Sequence, residues 1–569
     1  MPALVWLPRY DRSWLRPDVV AGLTLWGLLV PEAMAYAGIA GLPPEAGLYT
    51  LVASLLVYAL FGTSRHLSVG ATSATAALLA ATVVSVGAAP GSDAYGPTAV
   101  ALVLVVAALF GIAAVARLGF VTQFLSKPVM DGFVLGLAVF VAVGQLNKLL
   151  GVSKGEGNTV EKLAHVIREL PQANGATVLV SLASLAALFG LPRLSRSLPA
   201  GLIVLFGSIA VSSALDLEGV HGVAVAGTLP KGLPSITWPD VPASTWLALV
   251  PSAVGIVLVA YSEALGVARE FGDKHGYDVD ADQELSAHGL TNLVSGLLGG
   301  MVAAGSMSAS AVKERAGARS QVANLAAWAA TLITVLLLTP LFKTLPEAVL
   351  AALIIHALWH ILVARKLQAV RTLSRTEFWL GVLTFAGVVL VDVLPGMVIG
   401  VIASLLLVIY RSSQPHLSML GRVPGVPGKY ADLARHPEAV RVPGVLVVRF
   451  DAPIYYANAL SVRGRIEEIV QAEDAPPRAI VLDASVQDSL DVTSAEMLTK
   501  LVAKLQQAGI EIVAAEVHAP VLAFARASGL LAVLGPERVF PTVAAAVDAL
   551  AGGPEAPFSS AVPATEVPR

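Results

Sequence analysis

Long apolar runs separated by short polar stretches fill the chain from about residue 20 to about 411 and then stop. A membrane-spanning helix needs about 20 mainly apolar residues, fewer where a helix is broken. On that criterion about fourteen segments are expected, at 20–38, 47–62, 71–87, 98–116, 128–150, 173–191, 199–215, 247–269, 284–301, 306–317, 320–341, 346–364, 377–393 and 395–411. The third and tenth begin on glycine and hydroxyl residues, and the tenth is short. A seven-plus-seven division falls in the loop at 216–246. An odd number of spans per half turns the second half upside down, so the expected fold is an α-helical polytopic membrane protein built as an inverted repeat, about 18–215 and 247–411.

From residue 412 the pattern changes. The stretch 412–441 is polar, punctuated by Pro and Gly, and reads as a linker. Val445–Phe450, Ala479–Asp483 and 510–515 then read as buried strands, with helical patterns at 459–472, 493–508 and 519–528 between and after them. Strands alternating with helices predict a small α/β domain over 442–552. The Pro/Ala/Ser-rich tail, 553–569, is expected to be disordered.

Composition agrees with the pattern. The chain is 56% hydrophobic and 14% charged, against about 25% charged in soluble domains. The net charge is −3, and no basic stripe interleaved with aromatics is present to bind nucleic acid. The absence of cysteine excludes disulfides, thiolate metal sites and cysteine nucleophiles. Residues 1–17 carry Arg9, Arg12 and Arg16 with no small-residue cleavage site at the right distance, so they read as a retained cytoplasmic segment before the first span. With the N-terminus inside, the inner loops hold Arg65, Arg117, Lys127, Arg193, Arg196, Arg269, Lys274, Lys313, Arg315, Arg319, Arg365, Lys366, Arg371 and Arg375. The 148–168 connection, assigned outside, mixes its Lys and Arg with Glu156 and Glu161, and Glu169 follows directly. This positive-inside bias leaves the C-terminal domain in the cytoplasm.

Two stretches echo each other across the halves. Gly70-Ala71-Thr72-Ser73-Ala74-Thr75-Ala76 and Gly305-Ser306-Met307-Ser308-Ala309-Ser310-Ala311 share one pattern, and Glu32-Ala33-Met34-Ala35-Tyr36-Ala37 repeats loosely as Glu263-Ala264-Leu265-Gly266-Val267-Ala268. The offsets, about 235 and about 231 residues, are nearly equal. Small residues also serve close helix packing; two echoes in the same order favour a duplicated transporter with a paired site at mid-membrane.

The stretch Pro31 to Pro44 with Gly47-Leu48-Tyr49, continued by Phe61 to Gly70, resembles the signature of the sulfate permease (SulP) family. Gly276-Tyr277-Asp278-Val279-Asp280, Gln283-Glu284-Leu285 and the Asn292 region match its stretch after the eighth helix. Asp483-Ala484-Ser485 and Asp491-Val492-Thr493-Ser494 resemble a STAS domain. The resemblance covers about residues 15–550. It implies a core bundle (segments 1–4 and 8–11) moving against a gate bundle (5–7 and 12–14), a homodimer, and third and tenth helices that begin near the bilayer midplane facing each other.

Half-helix N-termini suit an anion stripped of water, because their first N–H groups lack intrahelical partners and carry about half a positive charge. Gly70, Ala71, Thr72 and Ser73 with Ser306, Met307, Ser308 and Ala309 are therefore the expected anion cradle. Glu263 lies in an apolar segment with no Lys or Arg along its helix face, so it faces a cavity, binds a cation or is protonated. In relatives an acid at the matching position couples transport to protons or sodium. Glu32 is its first-half counterpart, where family members often have glutamine; it is either a second protonatable group or a permanently protonated donor. Tyr36 either orients the substrate or packs. Many relatives have arginine where this chain has Ala309, and the missing charge favours symport with H+ or Na+ over exchange.

His356 and His360 have the i, i+4 spacing of a metal pair, but no third ligand converges and no metal site is expected. Asp131 and Asp392 read as structural or interfacial and not as coupling groups. The C-terminal segment has no P-loop and no catalytic set. Thr493 matches the phosphorylated position of soluble STAS proteins, and a dimerisation and regulatory role is favoured for the domain. The expected function is therefore secondary active transport of sulfate, bicarbonate or a C4-dicarboxylate across the inner membrane, without a bound cofactor. Uncoupled exchange or channel-like conduction is the alternative, and the chain is not expected to be an enzyme.

Overall fold

The computed structural model describes residues 1–550 except 121–125, 156, 195–199, 229, 231, 233–235, 237 and 363–364, and the side chains of 360, 361, 365–367 and 394 are likewise outside the description. The expected disordered tail, Glu156 and Arg196, and the side chains of His360, Arg365 and Lys366, thus lie outside the described residues. The chain divides into two compact units, residues 1–404 and 405–569.

After a one-turn helix α1 (Ala3–Trp6), the chain runs twice through the same order of elements. The first pass is α2 (Leu15–Ile39), α3 (Pro44–Phe61), β1 (Ser68–Ala71), the short α4 (Ser73–Ser85), α5 (Tyr95–Val115), α6 (Lys127–Leu150), α7 (Thr159–Glu169), α8 (Gly175–Leu194) and α9 (Ala200–Leu215). The second is α10 (Ala243–His275), α11 (Ala281–Leu297), β2 (Ala303–Ser306), the short α12 (Met307–Arg315), α13 (Val322–Ile333), α14 (Glu347–Leu362), α15 (Arg365–Leu373), α16 (Arg375–Leu390) and α17 (Val393–Ser412). Helix ends follow local chemistry. Pro44 supplies a preset φ in the first turn of α3, and Gly276 closes α10 in the left-handed conformation.

Among the described residues eight helices are long and apolar enough to cross a membrane, with three shorter apolar ones at Ser73–Ser85, Ala200–Leu215 and Glu347–Trp359. Length and composition alone thus do not yield fourteen full spans. Some helices are short or carry polar faces that are buried against protein instead of lipid. The segment expected at 284–301 stops at Leu297 and gives way to β2. The segment expected at 320–341 leaves α-geometry after Ile333, through a π-turn at Thr334–Leu338 and a 3-10 turn at Thr339–Thr344, where Pro340 cannot donate an N–H. The helices α7 and α15 were not anticipated.

Packing sorts the helices. α2, α3 and α13 pack together, as do α5, α10 and α11, and α11 also lies against α3; separately, α6 packs on α14 and α16, and α8 on α9 and α14. The α2–α3 contact is tight at Gly47, where a Cβ would collide with the Ala33 carbonyl.

In the second unit one sheet has the order β4-β3-β5-β6-β7-β8, formed by β3 (Leu417–Arg422), β4 (Tyr430–Asp432), β5 (Val445–Phe450), β6 (Ala479–Asp483), β7 (Glu511–Ala515) and β8 (Val539–Phe540). β5 to β8 are parallel; β3 is antiparallel to β4 and β5. The stretch expected to be a plain linker therefore contributes two strands. Its Pro and Gly mark turns; β3 is held by hydrogen bonds to distant β5 and β4 by β3, pairings that local composition does not reveal. Alternate residues of β5 point to opposite faces. Leu446, Val448 and Phe450 pack with α18 (Ala459–Ala472), α19 (Val492–Gln507), α20 (Ala519–Ala527) and α21 (Leu530–Leu534). Val445 and Val447 pack with α22 (Val543–Leu550).

Because the Ala33 backbone cannot yield to a methyl group, Gly47→Ala should lower stability by about 1–3 kcal/mol. A thermal unfolding curve in detergent followed by tryptophan fluorescence checks this, and an unchanged midpoint would contradict the close α2–α3 approach.

Candidate functional site

The strands β1 and β2 pair antiparallel, with Ser68 opposite Ser306 and Ala71 opposite Ala303. Each strand runs directly into a short helix, so α4 and α12 leave the pair from opposite ends. Their N-termini face one another across a gap set by a four-residue strand, about 10 Å at the usual rise. Both starts are capped. Thr72 accepts from the Thr75 N–H in a reciprocal capping box, and Ser306 Oγ accepts from the Ala309 N–H at 3.3 Å. Capping consumes the third amide of each helix and leaves those of Ser73, Ala74, Met307 and Ser308 without intrahelical acceptors.

The expected cradle residues divide accordingly. Gly70, Ala71, Thr72, Ser306 and Ala309 are buried, Ser73 is half-buried, and Met307 and Ser308 are exposed. Ser308 Oγ lies 3.1 Å from Ser306 Oγ. Thr72 and Ser306 therefore act first as caps, and Ala309 lies behind the rim. The open face consists of Ser73 and Ser308 with the free amides.

The acids come to the same place. α2, with Glu32 and Tyr36, and α10, with Glu263, each pack against both α4 and α12. Gly305 brings β2 onto α10: a Cβ there would sit 2.7 Å from Ala264 Cα, one residue from Glu263. Tyr36 is within electrostatic reach of both carboxylates. Glu32 is buried and Glu263 half-buried, and among the described residues neither carboxylate has a hydrogen-bond or ion-pair partner.

Two other buried acids of this unit, Asp18 and Glu284, are well satisfied. Asp18 accepts from Arg319 N, Ser320 N, Ser320 Oγ and Tyr10 Oη. Glu284 accepts from Tyr58 Oη and from the Thr63 N–H and hydroxyl. Lys313, counted from sequence among the cytoplasmic loop charges, is instead fully buried. It lies in a nine-residue helix, and the sequence signal was a Lys two residues beyond the repeat motif.

His356 stacks edge-on with Phe189, and no metal-ligand cluster occurs among the described residues. Asp392 accepts from the Val393 N–H at the start of α17, and Asp131 is half-buried on α6. In the second unit Thr493 is exposed in the first turn of α19. The cap of that helix, Asp491, accepts from Ser494 N at 2.8 Å and Tyr456 N at 2.6 Å. Burial pushes its carboxyl up, but these hydrogen bonds outweigh burial and hold it below the ordinary value.

Two capped half-helices meeting head to head inside an apolar bundle, with a separate α/β unit after it, define a helical membrane transporter. The sulfate permease family model matches residues 15–384 and the STAS domain model residues 436–546, so the chain belongs to the sulfate permease family and is an anion transporter, not an enzyme. A probable sulfate transporter of Mycobacterium tuberculosis is 34% identical over 549 residues, covering 96% of this chain and 97% of that protein. Human solute carrier family 26 member 6 is 35% identical over 487 residues, covering 81% and 63%. The murine solute carrier 26 family member A9 anion transporter in its inward-facing state superposes with a TM-score of 0.88 at 25% identity, over 96% of this chain and 93% of that one. The transmembrane domain of the cyanobacterial bicarbonate transporter BicA shares the fold with a TM-score of 0.60 at 21% identity, over 69% and 98%.

The division of roles between hydroxyls has a measurable consequence. Ser308→Ala should weaken anion binding severalfold with little change in thermal stability. Ser306→Ala, which loses a cap, should cost about 1 kcal/mol of stability. Anion titration and thermal unfolding of both purified variants separate the two; the reverse assignment of effects would contradict the geometry.

Proposed function

We propose that this chain is a secondary active transporter of the inner cell membrane that carries a small oxyanion by alternating access, in symport with a proton or sodium ion through Glu263. One observation carries the reading: Glu263 and Glu32 lie beside the paired helix starts without hydrogen-bond or ion-pair partners among the described residues. Carboxylates left so in a membrane interior are stable only when hydrated, protonated or cation-bound. Each helix start supplies about half a positive charge, which together balance a monovalent anion but not a divalent one. Uptake of a proton or sodium by the glutamates relieves the remainder. Ala309 adds no side-chain cation to the first turn of α12, which makes this relief more necessary.

Sulfate, a C4-dicarboxylate and bicarbonate all suit amide donors with hydroxyl support at Thr72, Ser73, Ser306 and Ser308, with Gly70, Ala71, Met307 and Ala309 completing the cradle. The names of the sulfate and bicarbonate relatives support an oxyanion. In this reading Tyr36 orients the anion through its hydroxyl, and Glu32 is a second proton acceptor. The protein works as a homodimer whose N-terminus and STAS domain lie in the cytoplasm, where the STAS domain assists dimerisation and regulation. A phosphate on Thr493 would gain from the positive start of α19 and be opposed by Asp491.

The test is uptake into proteoliposomes of labelled sulfate, bicarbonate, fumarate and succinate under an inward proton gradient, repeated with a sodium gradient. Wild-type protein should accumulate one of these under one gradient. Glu263→Gln should abolish accumulation while retaining the folded state and counterflow. Transport indifferent to both gradients but accelerated by an internal counter-anion would make the protein an exchanger and remove coupling from Glu263.

A further inference from the structure

We propose that Lys148 is an outer clasp, holding the end of α2 beside Glu347 while the cradle is closed to the outside. Resting on the alternating-access reading above, the clasp acts between two helix groups that move past each other. The groups meet along α2, which packs on α9 and α14, and where α4 packs on α6. Two glycines mark this seam. A Cβ at Gly27 would lie 2.6 Å from Leu202 of α9, and one at Gly38 would lie 3.4 Å from Nζ of Lys148. At a spacing of eleven residues the two share one face of α2, about 17 Å apart. Tyr36 and Glu32 precede Gly38 on the same helix, about 3 and 9 Å along its axis. With the N-terminus in the cytoplasm, the Gly38 end of α2 is the outer end.

Lys148 stands in the last turn of α6, and its Nζ lies 3.1 Å from Oε2 of Glu347 in the first turn of α14. Each side of the contact is anchored in its own group. Glu347 N donates to the Ala224 carbonyl at 2.9 Å and Ala226 N to the Leu345 carbonyl at 2.8 Å, which fixes the start of α14. Tyr95 Oη of α5 donates to the Ala40 carbonyl at 2.7 Å, which fixes the end of α2. Between these frames the ammonium faces two negative groups, a carboxylate and the C-terminus of α2 with about half a negative charge. Gly38 has no side chain to hold it off. The Lys148 and Glu347 side chains are 28% and 37% exposed, so water screens them only in part. Both charges also suit the ends of their own helices, as in a purely structural pair; the contact with α2 is what such a pair does not need. When α2 shifts, its end leaves the ammonium and Glu347 retains it. The pair is neutral in sum, so it adds no fixed cation to the cradle.

The chain has no cysteine, so a single Ser73→Cys reports access to the cradle. Full-length protein in sealed right-side-out membrane vesicles is labelled from outside with a maleimide that does not cross the membrane. In this background Lys148→Gln should raise the labelling rate about two- to fivefold, and Lys148→Arg should leave it unchanged. Exchanging the charges, Lys148→Glu with Glu347→Lys, separates a clasp from a structural pair. The exchange should recover thermal stability lost in Lys148→Gln but not the slow labelling, because a carboxylate at 148 repels the end of α2. Labelling of Lys148→Gln at the parent rate, or slow labelling restored by the exchange, overturns the proposal. If the charge variants do not fold, Gly38→Leu carries the test by pushing the ammonium off α2 with the ion pair intact: faster labelling is expected, and an unchanged rate overturns the clasp. Uptake of labelled sulfate, bicarbonate, fumarate and succinate under proton and sodium gradients is measured in parallel on the cysteine-free protein. Absence of all transport there overturns the alternating-access reading and the clasp with it; transport intact with labelling unmoved by Lys148→Gln overturns the clasp alone.

Discussion

The antiparallel pairing of two four-residue strands, β1 and β2, governs the membrane unit. Each strand belongs to a different half of the chain and is followed at once by a short helix. Hydrogen-bonding them antiparallel forces the two helices to start from opposite ends and to aim their N-termini at a common space. Two positive helix ends brought together repel, and the repulsion has a natural remedy in an anion held between them. In the proposed reading, substrate binding is thus built into the backbone geometry before any side chain is considered. The remaining side chains adjust strength and coupling: Thr72 and Ser306 cap, Ser73 and Ser308 stay open, and Gly305 lets α10 approach closely enough to bring Glu263 alongside.

Two kinds of buried polar group stand around the cradle. Asp18, Glu284, Asn324 and Lys313 are surrounded by donors or acceptors and tie β1, α12 and the turn after it into one body. In a membrane interior an unmade hydrogen bond is expensive, so a satisfied network of this kind is rigid. Glu32 and Glu263 differ: they lie within the same bundle and lack protein partners among the described residues. Under the proposed coupling, rigidity around the cradle and chemical freedom at the acids are complementary, since a co-transported ion needs a group that can change its charge while the frame keeps its shape.

Much of this was legible in the sequence because it depends on local chemistry. Apolar run lengths marked the helices, glycine and hydroxyl residues marked the broken ones, and the repeated motifs pointed to the paired site. What escaped depends on contacts between residues far apart. The β1–β2 pair joins positions more than 230 residues apart, and strand β3 forms only against β5, with β4 added on its far edge, so a window along the chain saw a linker. Lys313 has the local look of a loop charge, and only the fold around α12 buries it.

By itself the sequence determined that the chain is a duplicated helical membrane protein with an α/β appendix, because hydrophobic length and periodicity answer to solvent and are written residue by residue. It also named Glu263, Glu32 and the two hydroxyl stretches, since acids and helix breakers in apolar runs are anomalous wherever they occur. Tertiary structure decided which hydroxyls cap and which remain free, which acids lack partners, and which cation is buried. Those properties belong to pairs of distant groups, and hydrogen bonds and charge effects take their sign and strength from the neighbours that folding supplies.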